Sequence, residues 1–175
     1  MRALRDIDWN AWKATDEATL VFVVAEGQVL LMHKKRGLGA GKVNAPGGRL
    51  EPGETPEQGA IREVQEELCV TPTELTKHGE LSFQFLDGYS IFVHVFRATG
   101  YLGEPRETSE ARPRWTELGQ IPYAEMWADD ALWVPLLLSG SWFSGRFLFD
   151  RERMLDHELV ELTSSTTLID PRSVR

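Results

Sequence analysis

The chain has 175 residues, of which 42% are hydrophobic and 26% charged, and its formal net charge is −8. This length and composition predict one globular domain with a single core. The negative charge argues against a long nucleic acid as a partner, because such a partner requires basic surfaces, whereas small anionic ligands remain compatible with it. The single cysteine, Cys69, excludes an internal disulfide and a cysteine-rich zinc site.

No stretch approaches the roughly eighteen uninterrupted apolar residues of a membrane span. Residues 1–18 also lack the apolar core of a signal peptide. We therefore expect a cytoplasmic protein without a membrane partner, present as a monomer or a homodimer.

The first predicted elements are an N-terminal extension and a hairpin. Residues 1–18 mix Trp9 and Trp12 with charges, and we expect this extension to pack one or both tryptophans onto the domain. Residues 19–25 and 29–33 are apolar and rich in β-branched side chains, which predicts a hairpin built around the turn between them.

The next segment, residues 34–43, is a basic and glycine-rich loop. It is either a flexible surface connection or, beside a phosphate site, a loop that positions Lys34 or Arg36 for substrate contact. Asn44 follows at a strand edge, where its amide can donate and accept hydrogen bonds or cap the turn.

A helix is predicted after residue 55. Thr55 is a good N-cap, Pro56 suits the first helical position and Gln58 completes a capping box. Further along, Glu63, Glu66 and Glu67 stand at i, i+3 and i+4. This spacing puts three carboxylates on one helix face, about 5 to 6 Å apart at Cβ.

Like charges at this spacing destabilise a helix, so the three carboxylates require a compensating cation unless they form an ordinary solvated face. Mg²⁺ is the natural candidate because it prefers oxygen ligands and is usually held by one or two carboxylates and substrate phosphates. The glycines before the helix, including Gly48, would let backbone N–H groups approach those phosphates.

The second half of the chain predicts further strands and one helix. Alternation predicts antiparallel strands at 82–85 and 90–96, and a lone His94 there is interpreted as a sheet residue. A charged loop at 104–114 leads to a short strand at 115–118, and 123–127 predicts one helical turn.

An apolar run then predicts a helix that starts between Asp130 and Pro135, because proline belongs in the first turn or kinks the helix. Residues 142–149 and 154–162 predict two late strands, and 163–175 a polar tail. Residues 19–162 would form the domain, with a mixed β-sheet sandwiched between α-helices, an α+β fold.

The carboxylate helix and its preceding loop resemble the Nudix box, Gly-x5-Glu-x7-Arg-Glu-U-x-Glu-Glu-x-Gly-U, in which U is a bulky aliphatic residue. The matching residues are Gly48, Glu54, Arg62, Glu63, Val64, Glu66, Glu67 and Val70. Cys69 stands where the family has glycine. A left-handed residue should end the helix there, so Cys69 should either cost about 1 kcal/mol or bend the helix exit differently.

The resemblance extends over residues 19–162 to one branch of the Nudix superfamily, the oxidised-purine nucleoside triphosphatases of the MutT-homologue type. The segments that carry it are 34–44, 93–96, 109–115, 121–130 and 132–138. It implies the Nudix fold, nucleotide-pool sanitation, a small nucleotide substrate, and Mg²⁺, or Mn²⁺ in its place, as cofactor.

The resemblance also implies roles for the acidic residues. Glu63 and Glu67 match the principal metal ligands, and Glu66 matches a residue between a ligand and a water-orienting base. Glu110 matches a further acidic position near the metal, with Gly48 beside it. Arg62 would be structural and would hold the loop through Glu54.

Positions that would bind the purine follow from the same resemblance. Asn44, Asp129 and Asp130 match residues that read the base edge, although one aspartate could merely cap the following helix. Trp127 matches the aromatic residue that stacks on the base. The remaining pocket positions are Thr19, Lys34, Phe83, Ile91 and Leu38, of which Leu38 departs from the branch because the branch has an aromatic residue there.

Three alternatives remain from the residues alone. A Nudix hydrolase could act on ADP-ribose, a dinucleotide or capped RNA instead. A nucleotide-sensing Nudix module would have lost a catalytic glutamate, and none is lost here. An isomerase of the isopentenyl diphosphate type would use a catalytic cysteine, whereas Cys69 lies at the wrong end of the helix.

Overall fold

A computed structural model describes residues 1–162, so the predicted tail at 163–175 lies outside the described residues. The described chain forms nine strands and two α-helices. The strands are β1 (Asp16–Ala25), β2 (Gln28–Lys34), β3 (Val43–Asn44), β4 (Gly47–Arg49), β5 (Thr71–Phe85), β6 (Ser90–Leu102), β7 (Ala111–Glu117), β8 (Trp142–Asp150) and β9 (Arg153–Leu162). The helices are α1 (Pro56–Leu68) and α2 (Asp130–Leu138).

The strands form a mixed sheet in the order β3-β2-β1-β6-β5-β8-β9, with β4 paired to β1 and β7 paired to β2. The pairs β1–β6 and β5–β8 are parallel, and the other pairs are antiparallel. Two parallel pairs require long crossover connections, and these connections carry α1 and the segment that includes α2.

Strand β1 shows why the sheet has a helix on each face. Ala18 and Phe22 pack into a core with Trp133 of α2. Val21 and Val23, which point to the opposite face, pack into a second core with Val64 of α1. The predicted sheet between helices is therefore present, in the fold expected from the resemblance.

Local sequence sets the first hairpin and the start of α1. Glu26 and Gly27 both have positive φ, 53° and 75°, which is the geometry of a tight hairpin turn. Thr55 Oγ1 accepts the Gln58 amide at 3.2 Å, and Gln58 Oε1 accepts the Thr55 amide at 3.0 Å, which completes the predicted capping box.

Several predicted boundaries were wrong. Strand β5 begins at Thr71 rather than at residue 82, and strand β6 ends at Leu102 rather than at residue 96. The predicted charged loop ends before Ala111, because β7 begins there and includes Pro113 in its pairing with β2. The start of helix α2 was predicted between Asp130 and Pro135, and this is confirmed, because the helix begins at Asp130 and Pro135 lies inside it.

The left-handed exit of α1 is present at the predicted residue. Cys69 has φ 61° and ψ 27° and is solvent-exposed. No helix among residues 1–162 has the length and apolar character needed to cross a membrane.

Candidate active site

Arg62 organises the acidic residues at the start of the site. Its guanidinium donates to both oxygens of Glu54, from Nε at 2.6 Å and from Nη2 at 2.9 Å. Nη1 donates to Glu63 Oε1 at 2.9 Å and to Glu66 Oε2 at 3.2 Å, while Nη2 also donates to the Arg49 carbonyl at 3.0 Å. The hydrogen bonds from Arg62 lower the pKa of Glu54 to about 2. The loop before α1 is therefore fixed to the helix by one bidentate ion pair.

Glu67 is the most buried carboxylate of this group, with 2% of the residue exposed. Its Oε1 accepts the Gly47 amide at 2.9 Å, which ties strand β4 to the helix. Burial raises the pKa of Glu67 to about 8, against the opposing effect of that amide, and the charges of Glu63 and Glu110 raise it further. Burial likewise raises the pKa of Glu63, although Arg62 opposes this shift.

Glu66 differs from its two neighbours because half of its side chain is exposed. Its carboxylate is the one on this helix face that is open to solvent water.

Glu110 reaches the same region from another part of the chain. Its carboxylate accepts from Arg36 Nη2 at 2.9 Å and lies close enough to raise the pKa values of Glu63 and Glu67. We call Glu63, Glu66, Glu67 and Glu110 the carboxylate cluster.

The loop before Glu110 is held on the last turn of α1. The Arg106 amide donates to the Leu68 carbonyl at 2.9 Å, and Thr108 Oγ1 donates to the Glu67 carbonyl at 2.8 Å. These bonds satisfy two carbonyls that a helix end leaves free. They also fix the position of Glu110 relative to Glu67.

The carboxylate cluster suits a hard divalent cation. Its donors are all oxygens, and burial together with the charges of neighbouring carboxylates raises the pKa values of Glu63 and Glu67, an environment that favours a bound cation. The backbone at Gly48 lies directly against the Glu63 carboxylate, since any side chain there would collide with it. Among residues 1–162, no three His, Cys, Asp or Glu side chains are already arranged around a common metal position.

A cavity of about 280 Å³ opens beside the cluster, and we call it the main cavity. All nine residues predicted to bind the substrate line it, together with Gly48. They are Thr19, Lys34, Leu38, Asn44, Phe83, Ile91, Trp127, Asp129 and Asp130. The structure thus brings together positions from six separate segments, and their roles in binding stay predictions.

Three polar atoms of the main cavity are buried without a hydrogen-bond partner among the described residues: Thr19 Oγ1, Asn44 Nδ2 and Asp129 Oδ1. Buried polar groups are nearly always paired, so such atoms in one cavity indicate a place for a polar ligand. The amide nitrogen can donate, the carboxylate oxygen can accept when ionised, and the hydroxyl can do either.

Asp129 and Asp130 are adjacent acids at the buried end of the main cavity. Asp129 Oδ2 accepts the Trp133 indole N–H at 2.7 Å. Burial raises the pKa of Asp129 to about 6, and burial followed by the charge of Asp129 raises the pKa of Asp130 well above its usual range. Asp129 is the N-cap residue of α2 but makes no side-chain capping hydrogen bond. A role in helix capping therefore does not explain why an aspartate stands at position 129.

Trp127 forms one wall of the main cavity. Its ring packs edge-on against Phe85 and Phe149, with centroids 6.3 and 5.5 Å away. Lys42 Nζ lies 5.4 Å from the ring centroid, and the backbone of Gly39 touches the indole so closely that a side chain there would collide. Leu38, at the departing position, is 47% exposed at the rim.

The model of the NUDIX domain family matches residues 14–137, which is more than half of the chain. The chain belongs to the NUDIX family.

Two relatives match most of this Nudix chain. The oxidized purine nucleoside triphosphate hydrolase of Danio rerio is 47% identical over 146 residues, which are 82% of this chain and 94% of that protein. The protein of the same name from Mus musculus is 45% identical over 148 residues, 83% of this chain and 95% of that protein.

A solved structure supports the fold. The crystal structure of the mutator MutT protein from Bacillus halodurans has a TM-score of 0.74 and 27% identity, and the alignment covers 82% of this chain and 97% of that one. The Nudix fold expected for this chain is therefore confirmed.

Sequence reasoning missed several residues that line the main cavity of this Nudix protein. They are Ala18, Leu20, Gly37, Gly47, Arg49, Phe85, Tyr89 and Val93. Alternation along the strands could have found part of this set, because Phe85 lies two residues after Phe83 and Val93 two residues after Ile91. Tyr89 had no such signal, since it lies in the turn between β5 and β6.

Proposed function

We propose that this Nudix chain hydrolyses oxidised purine nucleoside triphosphates, such as 8-oxo-dGTP, to the monophosphate and pyrophosphate. Such an activity removes damaged precursors from the nucleotide pool. A cytoplasmic location and a small nucleotide as the partner belong to the same proposal.

One observation carries the proposal: the main cavity joins an aromatic wall to polar atoms that lack hydrogen-bond partners within residues 1–162, immediately beside the carboxylate cluster. Trp127 would stack on a purine, while Asn44, Asp129 and Asp130 would read its edge. The relatives named as oxidized purine nucleoside triphosphate hydrolases support this substrate class.

The carboxylate cluster would hold a divalent cation, for which we propose Mg²⁺ with Mn²⁺ as a substitute. Glu63 and Glu67 would be the principal ligands, with Glu66, Glu110 and the Gly48 backbone around them. When bound, the cation would neutralise phosphate charge and make a coordinated water more acidic.

The chain's own groups would supply positioning and proton transfer. Lys34 lines the main cavity, and its charge also acts on Glu67, so it would contact the phosphates between the two ends of the site. Glu66 is the solvent-open carboxylate and would accept the proton of the attacking water. Arg62 would keep Glu63 and Glu66 in place through its hydrogen bonds rather than contact the substrate.

A screen of pyrophosphate release with Mg²⁺ tests the function. The substrates are normal and oxidised purine nucleoside triphosphates, together with ADP-ribose and dinucleoside polyphosphates, whose cleavage is followed by chromatography. We expect the highest kcat/KM for an oxidised purine triphosphate. A higher kcat/KM for ADP-ribose or a dinucleotide would refute the proposed substrate class.

A further inference from the structure

The N-terminal segment, residues 1–15, is packed against the domain. The Leu4 amide donates to Asp156 Oδ2 at 2.8 Å, and Leu4 is buried. Trp9 lies under the guanidinium of Arg146, with 4.8 Å between that group and the ring centroid. Most of this segment precedes residue 14, where the match to the family model begins. It is thus an ordered addition to the part of the chain that matches the family.

Trp12 connects this segment to the interior. Its indole N–H donates to Gln84 Oε1 at 2.8 Å, and only 8% of Gln84 is exposed. Gln84 Nε2, the nitrogen of the same amide, donates to the carbonyls of Phe85 at 3.0 Å and Tyr89 at 3.2 Å. An indole N–H only donates and a carbonyl only accepts, so these three bonds fix the orientation of the Gln84 amide.

A second set of contacts holds the same turn from the following residues. The Thr15 amide donates to Ser90 Oγ and to the Ser90 carbonyl, both at 3.0 Å, and Ser90 Oγ donates to the Lys13 carbonyl at 3.3 Å. Tyr89 donates its hydroxyl to Asp16 Oδ2 at 2.9 Å. Both ends of the turn between β5 and β6 are therefore tied to the chain just before and within the start of β1.

The other side of this turn is a wall of the main cavity. Phe85 and Tyr89 both line the cavity, with ring centroids 5.9 Å apart. Phe85 also packs edge-on against Trp127. A continuous line of contacts therefore runs from Trp12 through Gln84 and Phe85 to Trp127.

We propose that the N-terminal segment positions the Phe85–Tyr89 wall of the main cavity and thereby sets the affinity for the base, with Trp12 as the positioning residue. This inference rests on the proposed function for the identity of the base. Trp12 acts through Gln84 and touches neither the main cavity nor the carboxylate cluster.

The physical reason lies in the buried amide. Without the indole donor, the buried Gln84 Oε1 has no hydrogen bond, so the amide can reorient and stop donating to the Phe85 and Tyr89 carbonyls. Those carbonyls then keep only their backbone hydrogen bonds from the Gly88 and Phe85 amides. The wall is then less well ordered before the ligand binds, although the contacts to Tyr89 and Ser90 remain, and binding is weakened. The carboxylate cluster is held by other elements, so the chemical step keeps its rate.

The chain offers a matched pair of variants. Trp12→Phe keeps an aromatic ring but removes the donor to Gln84. Trp9→Phe makes the same change in a residue whose indole donates, at 3.1 Å, to the Leu4 carbonyl within the segment. Both variants lose one indole hydrogen bond, and only Trp12→Phe loses the link to the cavity wall.

The test measures KM and kcat for 8-oxo-dGTP with Mg²⁺, and the Kd of 8-oxo-dGMP by calorimetry without metal. For Trp12→Phe we expect KM and Kd to rise about tenfold, the effect of one lost bond to a buried group, with kcat within about twofold. Trp9→Phe should leave all three values unchanged. Gln84→Met should raise KM and Kd similarly, and the double variant Trp12→Phe/Gln84→Met should be no weaker than either single one.

An unchanged Kd in Trp12→Phe, or an equal loss in Trp9→Phe, would overturn the inference and leave the segment a role in stability only. Failure of the proposed function looks different: the wild-type protein would then not hydrolyse oxidised purine triphosphates. In that case the Kd values still decide the inference, because product binding requires no turnover. A wild-type protein that neither hydrolyses 8-oxo-dGTP nor binds 8-oxo-dGMP would overturn both.

Discussion

The two ends of the site are built in different ways. Three members of the carboxylate cluster come from a single helix, and Arg62 on the same helix orients two of them. The main cavity draws its residues from strands and loops that are far apart in the chain. The first end is a cluster of four carboxylates, whereas at the second end three buried polar atoms lack a hydrogen-bond partner among residues 1–162.

This difference indicates that binding of the cation and triphosphate depends on one part of the protein and selection of the base on another. A cation and a triphosphate vary little between nucleotides, so a short local motif is sufficient to bind them. Selection among bases depends on shape and on the match of donors and acceptors, which requires several elements to converge. Changes at the first end should therefore affect turnover, and changes at the second should affect preference.

The largest expected effect is at the carboxylate cluster. Glu63→Gln and Glu67→Gln should each lower kcat by roughly two or more orders of magnitude, because each removes a charge needed by the cation. The binding of 8-oxo-dGMP without metal should be unchanged, because the main cavity is left intact. Calorimetry and steady-state kinetics at saturating Mg²⁺ measure the two quantities.

Glu57→Gln is the control for this prediction, since Glu57 is an exposed residue in the first turn of the same helix. It should retain wild-type turnover. Full activity of both Glu63→Gln and Glu67→Gln would show that this helix is not the catalytic one.

The second prediction concerns preference. Asp129→Asn or Asp130→Asn should shift the kcat/KM ratio between oxidised and normal purines by about ten- to a hundredfold, because a buried partner of the base is left unpaired. The measurement compares 8-oxo-dGTP, 2-hydroxy-dATP and dGTP with each variant. Unchanged ratios in both variants would remove the aspartates from base recognition.

The same aspartates should make preference depend on pH. The pKa of Asp129 is raised to about 6, and the pKa of Asp130 is raised as well, so protonation of the pair increases as pH falls from 9 towards 6. A protonated carboxyl can donate as well as accept. The wild-type preference between 8-oxo-dGTP and 2-hydroxy-dATP should therefore change over this range, and each variant should respond less to pH.

A third and smaller effect is on stability. The pKa of Glu67 is about 8 in the folded protein and 4.5 ordinarily, so the folded state binds the proton more tightly. The free energy of unfolding should consequently fall as pH rises from about 4.5 to 8, and Glu67 contributes to this fall. Glu67→Gln should remove this part of the slope.

Denaturant unfolding of both proteins with a chelator present measures the slope. Adding Mg²⁺ to the wild-type protein should raise stability at pH 8, where Glu67 would otherwise be an uncompensated buried charge. Equal slopes in the wild type and Glu67→Gln would assign the pH dependence to other groups.

The smallest effect lies outside both ends. Cys69→Gly should stabilise the protein by up to about 1 kcal/mol, because Cys69 has a left-handed backbone and an exposed side chain. Cys69→Ala keeps the strain and should change stability little. Thermal unfolding measures both, and a loss of stability in Cys69→Gly would mean that the thiol makes a contact worth more than the strain.

The contrast between the carboxylate cluster and the main cavity also explains which features could be predicted from the sequence. The start of α1 followed from Thr55, Pro56 and Gln58, whose capping interactions span only three residues. Helix spacing then placed the three glutamates on one face without any knowledge of the fold. The Arg62–Glu54 pair was expected and is present because both residues belong to the same local motif.

The main cavity could not be predicted in this way. Apart from Lys34, its residues were proposed only through the resemblance, because the parallel pairs β1–β6 and β5–β8 decide which segments meet. The start of β7 was missed because Pro113 suggested a loop, although proline is tolerated in a strand where its missing N–H is not needed. The Trp12–Gln84 hydrogen bond joins residues 72 positions apart, and no local sequence pattern indicates it.

The hydrogen bonds between the loop before Glu110 and the end of α1 have a consequence for motion. Since Arg106 and Thr108 bond to the last carbonyls of that helix, Glu110 and Glu67 should fluctuate as one body. The Arg106 amide should therefore exchange its hydrogen with solvent only when the end of α1 opens. A cation held by both residues would then leave through a rare collective opening rather than through the independent swing of a single side chain.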